Sequence, residues 1–332
     1  MAPSTKSLIR LVDRLPRVRV VVAGDFMADQ YVYGETERIS REAPVLIVRY
    51  ERSELKAGGA GNAAQNLAAL DVKVAAVGVV GEDELGRRLL EALEASGIDV
   101  GGIQRVTDRA TESKTRILAG GRSTRRQQML RVDRAPSGPP SAPVARRLAR
   151  TLAQLAGDAQ AVLASDYGSL ALGPAAIAEL RRLRRGGLPV CVDSRYRIVE
   201  YTGVSMVKPN EPELEAATGV ALVSTAALER AARLLQRRLG CDQILVTRGR
   251  NGMSLFRKGA EALHVPAHGA QEAVDVTGAG DTVAAAYSAA IAAGGDPGSA
   301  ARLANVAGAL VVRKPGTATV SREELLAEIG GT

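Results

Sequence analysis

Aromatic side chains are scarce in this chain, which has no Trp, two Phe and seven Tyr among its 332 residues. Proteins that bind single-stranded nucleic acid stack the bases on aromatic rings, and few rings are available here. Cysteine is equally rare, and Cys191 and Cys241 lie far apart in or beside apolar runs. They form neither a disulfide framework nor a zinc-ligand pattern, and they are typical of buried reduced thiols.

Long apolar segments are also missing. No uninterrupted apolar run reaches the ~18 residues that a membrane span needs, and the N-terminal segment lacks the apolar core of a signal peptide. We therefore expect a cytoplasmic protein with no membrane partner. His264 and His268 are the only histidines. They are too few for a metal site without supporting carboxylates, and we assign them no role.

Positive charge is in excess, because 44 Lys and Arg oppose 36 Asp and Glu. All but seven of these basic residues are Arg, and clusters such as Arg146–Arg147–Arg150 fit solvated helix faces. No nucleic-acid-binding motif accompanies the charge, so we expect no nucleic-acid partner. The excess of positive charge is compatible with a small anionic substrate.

The middle of the chain alternates apolar runs with helical patterns. Continuous runs such as Val18–Ala23 and Val72–Val80 indicate strands that are covered on both faces. The alternation predicts an α/β fold with a central mostly parallel sheet flanked by helices. Segments near 31–50 and 102–133 break the alternation, and we expect them to form a small separate sheet. No linker divides the chain, so residues 1–332 are expected to form one domain.

The glycine-rich segment Asp275–Thr282 (DVTGAGDT) leads directly into an Ala-rich helix. Small residues at Gly278, Ala279 and Gly280 let the backbone approach a ligand closely. The first amides of a helix lack internal partners and are partly positive, so they bind phosphate. Asp281 lies at the same end and can accept a hydroxyl proton during phosphoryl transfer. Helix capping by Asp281 is the alternative, but capping does not require three small residues.

A second glycine-rich segment, Gly58–Asn66 (GGAGNAAQN), follows the polar stretch Glu51–Lys56. Residues Gly59–Ala64 match the pattern G-x-G-x-x-G/A, which leaves an NAD-dependent oxidoreductase as an alternative function. That fingerprint should follow a core strand, whereas the preceding stretch is polar. We favour a turn at which a sugar ring approaches the backbone, with Asn62 offering both a donor and an acceptor.

Other polar residues follow strand-like runs, where ligands of open α/β sheets bind. Asp29 comes shortly after the first strand and is placed to accept sugar hydroxyls; an ordinary turn residue is the alternative. Asn210 and Glu213 are three positions apart at a helix start, a spacing that can organise hydrated Mg²⁺ or simply cap the helix. A nucleotide-lining role is expected after a later strand, at Thr247, Gly249 and Gly252.

Together these segments resemble the ribokinase-like (PfkB) family of carbohydrate kinases over nearly the whole chain. The first signature is Gly58–Gly86 and the second is Asp275–Asp281 (DVTGAGD). The motifs of other kinase classes are absent: the sequence contains neither the phosphate-loop pattern G-x-x-x-x-G-K-[ST] nor the H-R-D and D-F-G motifs. The resemblance implies a small β-sheet lid over a sugar site, ATP and Mg²⁺, a monovalent cation as an option, and a homodimer.

One branch of the family is especially similar. Gly24–Gly34 (GDFMADQYVYG), Arg38–Val45 (RISREAPV) and Ser165–Gly168 (SDYG) resemble kinases of D-glycero-β-D-manno-heptose 7-phosphate. That resemblance implies phosphorylation of the C1 hydroxyl to the 1,7-bisphosphate, in the synthesis of ADP-heptose and lipopolysaccharide precursors. Arg41 stands where the branch has Pro. The H-x-G-H motif of the adenylyltransferase fused to many relatives is absent, so the kinase half alone is implied. A kinase of fructose, ribose or a nucleoside, and a non-catalytic sugar sensor, are the alternatives.

Carried over residue by residue, the resemblance also implies roles. The base that activates the anomeric hydroxyl is Asp281, and the anion hole consists of Gly278, Ala279 and Gly280. The sugar is bound by Asp29, Gly59, Asn62 and Asp166. The ATP–Mg²⁺ region is served by Asn210 and Glu213, the latter holding the metal through water, and adenine is flanked by Asn305 and Gly308. The cations expected at the 7-phosphate, which Arg matches bidentately, are Lys114, Arg116, Arg131 and Arg195.

Overall fold

The computed structural model describes residues 4–121, 126–269 and 273–331. Within these ranges the helices are α1 (Thr5–Val12), α2 (Ala60–Ala69), α3 (Glu84–Ala95), α4 (Ala142–Leu155), α5 (Pro174–Arg185), α6 (Glu211–Thr218), α7 (Thr225–Leu239), α8 (Ala279–Ala292), α9 (Pro297–Val311) and α10 (Arg322–Gly330). The strands are β1 (Arg19–Gly24), β2 (Phe26–Ile39), β3 (Leu46–Gly59), β4 (Lys73–Gly81), β5 (Asp99–Val106), β6 (Ser113–Gly120), β7 (Gln127–Arg134), β8 (Ala161–Asp166), β9 (Val190–Ser194), β10 (Met206–Val207), β11 (Gln243–Thr247), β12 (Met253–Arg257) and β13 (Leu263–Val265).

Strand β1 illustrates how the central sheet is buried. Its Val20 and Val22 side chains join the hydrophobic layer that includes α2, α8 and α9. The alternate residues Val21 and Ala23 join the opposite layer, which includes α4, α5 and α7. Because successive side chains of a strand point to opposite faces, a continuous apolar run suits a sheet covered on both sides.

The central sheet contains nine strands within the described ranges, in the order β13-β12-β11-β10-β9-β8-β1-β4-β5. Neighbours from β11 to β5 pair in parallel, whereas β12 and β13 add an antiparallel edge. Helices connect the parallel strands, as such crossovers require. The fold class predicted from the alternating pattern is confirmed.

A separate sheet, here called the lid sheet, is formed in the described chain by strands in the order β3-β2-β6-β7. It is longer than the sequence indicated, because β2 begins at Phe26 and β3 continues through the polar stretch 51–56 to Gly59. Residues 102–106 of the predicted lid segment lie instead in β5 of the central sheet. Residues 122–125 of that segment lie outside the described residues.

The carboxyl ends of the parallel strands meet at one edge of the central sheet. The residues that follow β1, β8, β9 and β10 there are Asp25, Tyr167, Arg195 and Lys208. Helix α8 begins over the same edge, and Gly59 at the end of β3 lies against Asp25 and Tyr167. The lid sheet and the start of α8 therefore enclose one region, which is where ligands bind in open α/β sheets. No helix in the described ranges has the length and apolar character needed to cross a bilayer.

Candidate active site

The Asp281 carboxylate lies in the first turn of α8 and is buried. Its Oδ2 accepts a hydrogen bond from the Asn62 side-chain amide at 2.7 Å, and its Oδ1 accepts one from the Tyr167 hydroxyl at 2.7 Å. Asn62 lies on α2 and Tyr167 follows β8, so three separate elements converge on this carboxylate. Its partners are the side chains of other elements rather than the amides of its own helix, so it is not a simple cap.

Gly278 makes this approach possible in two ways. Its φ of 78° is in the left-handed region that glycine adopts without strain. In addition, a Cβ at this position would lie 2.6 Å from the Asn62 side-chain nitrogen that holds Asp281. A larger residue would displace Asn62, so the small residue predicted for ligand approach also protects the contact with the carboxylate.

Burial raises the pKa of Asp281 to about 7, and the nearby Asp193 carboxylate adds to the rise. The hydrogen bonds from Asn62 and Tyr167 and the positive charge of Lys208 oppose it. A hydrogen bond to the charged form of a carboxyl group lowers its pKa, whereas burial favours the neutral form. Asp281 therefore exchanges its proton near neutral pH, which is the range in which a general base is most effective.

Lys208 and Asp193 form a buried ion pair beside the start of α8. The Lys208 Nζ lies 3.0 Å from Asp193 Oδ1, and it would lie 3.4 Å from a Cβ placed on Gly280. Although burial alone lowers the pKa of Lys208, the attraction of Asp193 and Glu213 raises it above its ordinary value. Lys208 thus remains positively charged next to the first amides of α8, where a phosphate is expected to bind.

The inner face of the lid sheet carries charged and tyrosyl side chains. Cross-strand partners point to the same face of a sheet, and two rows of partners run across the strands. The first row contains Lys56, Asp29, Lys114 and Asp133, and the second contains Glu54, Tyr31, Arg116 and Arg131. The sugar-binding residues predicted on this sheet therefore share one face.

The partners of these charges differ. Arg116 donates to Asp29 at 2.7 Å, and Arg131 pairs with Asp133 at 2.9 Å. Lys114 makes no ion pair in the described chain; its Nζ lies 3.3 Å from the Met27 sulfur and 5.6 Å from the centre of the Tyr167 ring. Tyr167 connects this lysine to the Asp281 carboxylate.

The remaining predicted sugar residues occupy different positions. Gly59 has a φ of 58°, and a Cβ there would lie 2.5 Å from the Asp25 carbonyl oxygen. Asp166 is buried, and its carboxylate accepts hydrogen bonds from the Ser194 hydroxyl and the Gly168 amide. Arg195 is exposed at the end of β9, beside Tyr196. The structure thus brings Gly59 and Arg195 to the site edge and places Asp166 beneath its surface.

A cleft of ≈ 720 Å³ runs along the other side of the start of α8. The cleft is lined by all the residues predicted to bind the nucleotide except Glu213, namely Asn210, Thr247, Gly249, Gly252, Asn305 and Gly308. The apolar part of its wall includes Met253, Val276, Val283, Ala309 and Val312, and its inner end reaches Ala279 and Gly280. An apolar slot that ends at a helix N-terminus fits a purine base with attached phosphates. Asn305 itself donates to the Pro266 carbonyl at 2.7 Å, so it also holds one wall in place.

Asn210 and Glu213 form a reciprocal capping box at the start of α6. Asn210 Oδ1 accepts from the Glu213 amide at 2.8 Å, and Glu213 Oε2 accepts from the Asn210 amide at 2.9 Å. Within the described ranges, no group of three His, Cys, Asp or Glu side chains is arranged to hold a metal ion. One Glu213 oxygen makes no contact with this cap, which fits a metal held through water and ligand phosphates rather than by a protein cage.

The sequence analysis assigned no role to three residues of the site, namely Tyr167, Asp193 and Lys208. Each lies at or just beyond the carboxyl end of a parallel strand of the central sheet. That position was the available signal, because ligand sites of this fold class collect there. The glycine segment at Gly59–Ala64 follows a lid strand rather than a strand of the central sheet, which does not fit a dinucleotide fingerprint.

Comparison with known proteins places this geometry among sugar kinases. The model of the pfkB family carbohydrate kinases matches residues 18–324. A bifunctional protein HldE of Pelobacter propionicus is 40% identical over 97% of this chain and 65% of its own length. The HldE protein of Geobacter sulfurreducens is 41% identical over 94% of this chain and 63% of its own length. The chain thus spans less than two thirds of the length of these relatives.

Solved structures share the fold at lower sequence identity. Arabidopsis thaliana ribokinase, complexed with ribose and ATP, superposes with a TM-score of 0.74 at 23% identity, covering 94% of this chain and 98% of its own. Escherichia coli phosphofructokinase-2, in complex with substrates and products, gives a TM-score of 0.73 at 17% identity, covering 95% of this chain and 99% of its own. The ribokinase-like fold predicted from the two glycine signatures is confirmed.

Proposed function

This chain belongs to the pfkB family of carbohydrate kinases, and from that premise we propose that it phosphorylates the anomeric hydroxyl of D-glycero-β-D-manno-heptose 7-phosphate. The product is the 1,7-bisphosphate, and the phosphoryl donor is ATP. The observation that supports this function best is the position of Asp281, buried at the start of α8 between the nucleotide cleft and the charged face of the lid sheet.

Asp281 acts as the general base in this proposal. The sugar hydroxyl loses its proton to the carboxylate as its oxygen bonds to the terminal phosphorus of ATP, and the bond from that phosphorus to the bridging oxygen of ADP breaks. The amide of Gly280 and the charge of Lys208 stabilise the negative charge on the phosphoryl oxygens. The amide of Ala279, also predicted for the anion hole, donates to the Val276 carbonyl oxygen at 3.2 Å in this structure. Alignment and charge stabilisation supply most of the catalysis in this class of reaction.

The cleft beside α8 is the proposed ATP site. Its apolar wall suits adenine, flanked by Asn305 and Gly308, while Thr247, Gly249 and Gly252 line the path toward the helix N-terminus. Mg²⁺ would neutralise the phosphates when bound, and Glu213 would hold it through water. The option of a monovalent cation stays a prediction from the family resemblance.

The charges of the lid sheet support a phosphorylated sugar. Arg116 and Arg131 are each paired with a carboxylate, whereas Lys114 makes no ion pair in the described chain and faces the ring that touches Asp281. Among the four cations predicted to hold the 7-phosphate, we therefore rank Lys114 first and the exposed Arg195 second. Asp29, oriented by Arg116, is left to accept sugar hydroxyls.

The choice of a heptose rests on the segments Gly24–Gly34, Arg38–Val45 and Ser165–Gly168. The first segment forms the start of β2 and the third forms the loop that carries Tyr167, so both lie beside the proposed sugar site, whereas the second forms the turn at the other end of the β2–β3 hairpin. The substitution of Arg41 for Pro lies in the exposed turn between β2 and β3. It is remote in sequence from the residues that contact Asp281.

A cytoplasmic homodimer is part of the proposal. Cys191 and Cys241 are free and buried, and burial raises the pKa of the Cys191 thiol to about 11, which keeps it protonated. Free thiols are usual in reducing compartments. The outer face of the lid sheet exposes large apolar side chains, including Leu130 and Val132, which supports a contact with a second copy.

The test is the kinase activity of Asp281→Asn. Loss of one positioned proton acceptor is expected to lower kcat by about 10²–10⁴-fold, while ATP binding, measured by calorimetry, stays close to that of the unchanged protein. Turnover near the wild-type rate would reject Asp281 as the base. A substrate panel with heptose 7-phosphate, fructose, ribose and adenosine tests specificity, and equal kcat/KM for all four would reject the heptose assignment.

A further inference from the structure

Both oxygens of the Asp281 carboxylate are held by side chains from other elements. Tyr167 donates its hydroxyl proton to Oδ1, and Asn62 donates an amide proton to Oδ2, each over 2.7 Å. An ionised carboxylate offers about four lone-pair sites, so two contacts leave acceptor capacity for a third donor. The two hydrogen bonds therefore fix the plane of the carboxylate and still leave it able to accept a further hydrogen bond.

A closed set of hydrogen bonds determines which atom of Asn62 faces Asp281. The Asn66 side-chain nitrogen donates to Asn62 Oδ1 at 3.2 Å and to the Asn62 backbone carbonyl at 2.9 Å. Thr282, the residue after the carboxylate, donates its hydroxyl to Asn66 Oδ1 at 2.9 Å. Because the Asn62 oxygen is occupied by Asn66, its nitrogen must point toward Asp281. All four side chains are buried.

Tyr167 is fixed just as firmly, by a second buried carboxylate. Asp25 accepts hydrogen bonds from the backbone amides of Tyr167 at 2.8 Å, Ser169 at 3.0 Å and Ala171 at 3.0 Å. These contacts determine the path of the loop after β8 and so place the Tyr167 backbone where its hydroxyl reaches Asp281 Oδ1.

We propose that Tyr167 and Asn62 are positioning residues, which clamp the carboxylate of Asp281 in the orientation and charge state that proton abstraction requires. The proposal rests on the proposed function, in which Asp281 is the base. It gives Asn62, which was expected to bind sugar, a contact with the base as well.

The charged groups around Asp281 come from several elements. Asp193 on β9 opposes its ionisation, and Lys208 after β10 favours it. Arg195 acts on Tyr167 and Asp193, and Glu213 on α6 acts on Lys208. None of these groups is altered when Tyr167 is replaced by Phe. A change in the pH profile of that variant therefore reports the lost hydrogen bond.

The experiment compares kcat/KM as a function of pH in wild type, Tyr167→Phe and Asn62→Ala. Loss of a donor to the charged form raises the pKa of the carboxyl group. The carboxylate is the active form, so activity on the acidic side is lost first. We expect the acid limb of both variants to move to higher pH by about one pH unit, with much of the activity recovered well above the limb.

Tyr287→Phe is the matched control. Tyr287 is a buried tyrosine on the same helix as Asp281, and its hydroxyl donates to Gln243, away from the site. The Tyr287→Phe substitution also removes a tyrosine hydroxyl, but that hydroxyl makes no contact with the Asp281 carboxylate. An acid limb of Tyr167→Phe that coincides with that of Tyr287→Phe, together with lower activity at every pH, would overturn the clamp.

Asp281→Asn separates this inference from the proposed function. If Asp281→Asn keeps wild-type turnover, the assignment of the base fails and the clamp fails with it. If Asp281→Asn is inactive and both clamp variants keep the wild-type acid limb, the base stands and only the clamp is rejected. Folding of each variant is verified by its ATP affinity, and Asn62→Ala supplies the same readout should Tyr167→Phe lose the fold.

Discussion

Three buried aspartates near the sheet edge show that partners, rather than residue type, decide what a carboxylate does. Asp25 accepts three backbone amides and holds a loop, and Asp166 accepts a hydroxyl and an amide beneath the site. Burial, aided by the charge of Asp166, raises the pKa of Asp25 to about 6. Asp281 instead takes two side-chain donors at a helix N-terminus, where a phosphate and a hydroxyl can both reach it.

At the residue scale, Lys114→Met is expected to weaken binding of the sugar phosphate. Lys114 is partly buried and makes no ion pair in the described chain, so its charge is available to a ligand. A charged hydrogen bond contributes roughly 1.5–3 kcal/mol, which corresponds to a rise in KM of roughly 10–100-fold. Steady-state kinetics with the phosphorylated sugar measures it, and kcat should change much less.

Arg131→Met is the comparison for that variant. Arg131 lies on the same lid face, but it is exposed and already paired with Asp133. Exposed ion pairs contribute little, so its KM should stay close to that of wild type. The assignment of Lys114 to the phosphate would be contradicted if KM rose equally in Lys114→Met and Arg131→Met. It would also be contradicted if Lys114→Met raised KM equally for the phosphorylated and an unphosphorylated sugar.

At the scale of elements, the position of the site depends on how α8 packs. Helix α8 is buried around most of its circumference and consists mainly of Ala. Small side chains let α8 lie close to α2, α9 and the central sheet, and α2 carries Asn62. A helix that is apolar on all sides belongs in a protein core. Its first turn is therefore held in place by packing, although the residues of that turn are polar.

Asp296→Ala is expected to destabilise this packing through α9, which it caps. The Asp296 carboxylate accepts from the Gly298 amide at 2.9 Å and the Ser299 amide at 3.1 Å. Loss of an N-cap costs about 1 kcal/mol, which urea denaturation at pH 7 measures as a lower free energy of unfolding. Asp296→Asn retains an acceptor for the amides and should retain most of the stability. Equal losses in the two variants would show that the cap contributes nothing specific.

The same cap has a defined pH dependence. Burial acts to raise the pKa of Asp296, but the hydrogen bonds from Ser299 and Gly298 lower it overall. A carboxyl group whose pKa is lowered in the folded state stabilises the protein at pH values above its unfolded pKa of about 4. This stabilisation is lost as the pH falls through the folded-state pKa. The difference in stability between wild type and Asp296→Ala should therefore shrink under acidic conditions.

At the scale of the whole molecule, the lid sheet separates two environments. Its inner face carries the charged rows that include Lys114 and Asp29, whereas its outer face carries a row of Val32, Ile117 and Leu130. Leu130 and Val132 are more than half exposed. A sheet that is charged toward the site and apolar toward the outside needs a cover on its outer face. A second copy of the chain supplies one in the proposed homodimer.

Sedimentation of Leu130→Glu tests the dimer. Wild type is expected at twice the 34.7 kDa mass of the chain, and the variant at the mass of one chain, because a buried unpaired carboxylate opposes association. Val223→Glu is the control, since Val223 is exposed to an even greater extent but lies between α6 and α7, away from the lid sheet. A monomeric wild type, or a dimer that persists in Leu130→Glu, would contradict the contact.

Much of the fold was predictable, because apolar runs and helical spacing are local properties. The strands predicted at Val18–Ala23 and Val72–Val80 correspond to β1 and β4, and α8 begins within the glycine-rich segment as expected. The extent of β2 and β3 was less evident, because strands with one exposed face mix polar and apolar residues. The roles of Tyr167, Asp193 and Lys208 were not predicted, because each is a single polar residue whose partners are distant in sequence.

Local sequence patterns were enough to predict the parallel sheet, the helix that begins at the glycine-rich turn and the carboxylate at its start. Backbone preferences and apolar periodicity act between neighbours, so these features need no long-range information. The folded chain alone reveals that Asn62 and Tyr167 hold Asp281, that Lys114 makes no ion pair within the described ranges, and that Asp166 lies beneath the site. Those outcomes depend on burial and on contacts between elements far apart in the chain, which raise or lower the energy of a charge only once the fold has formed.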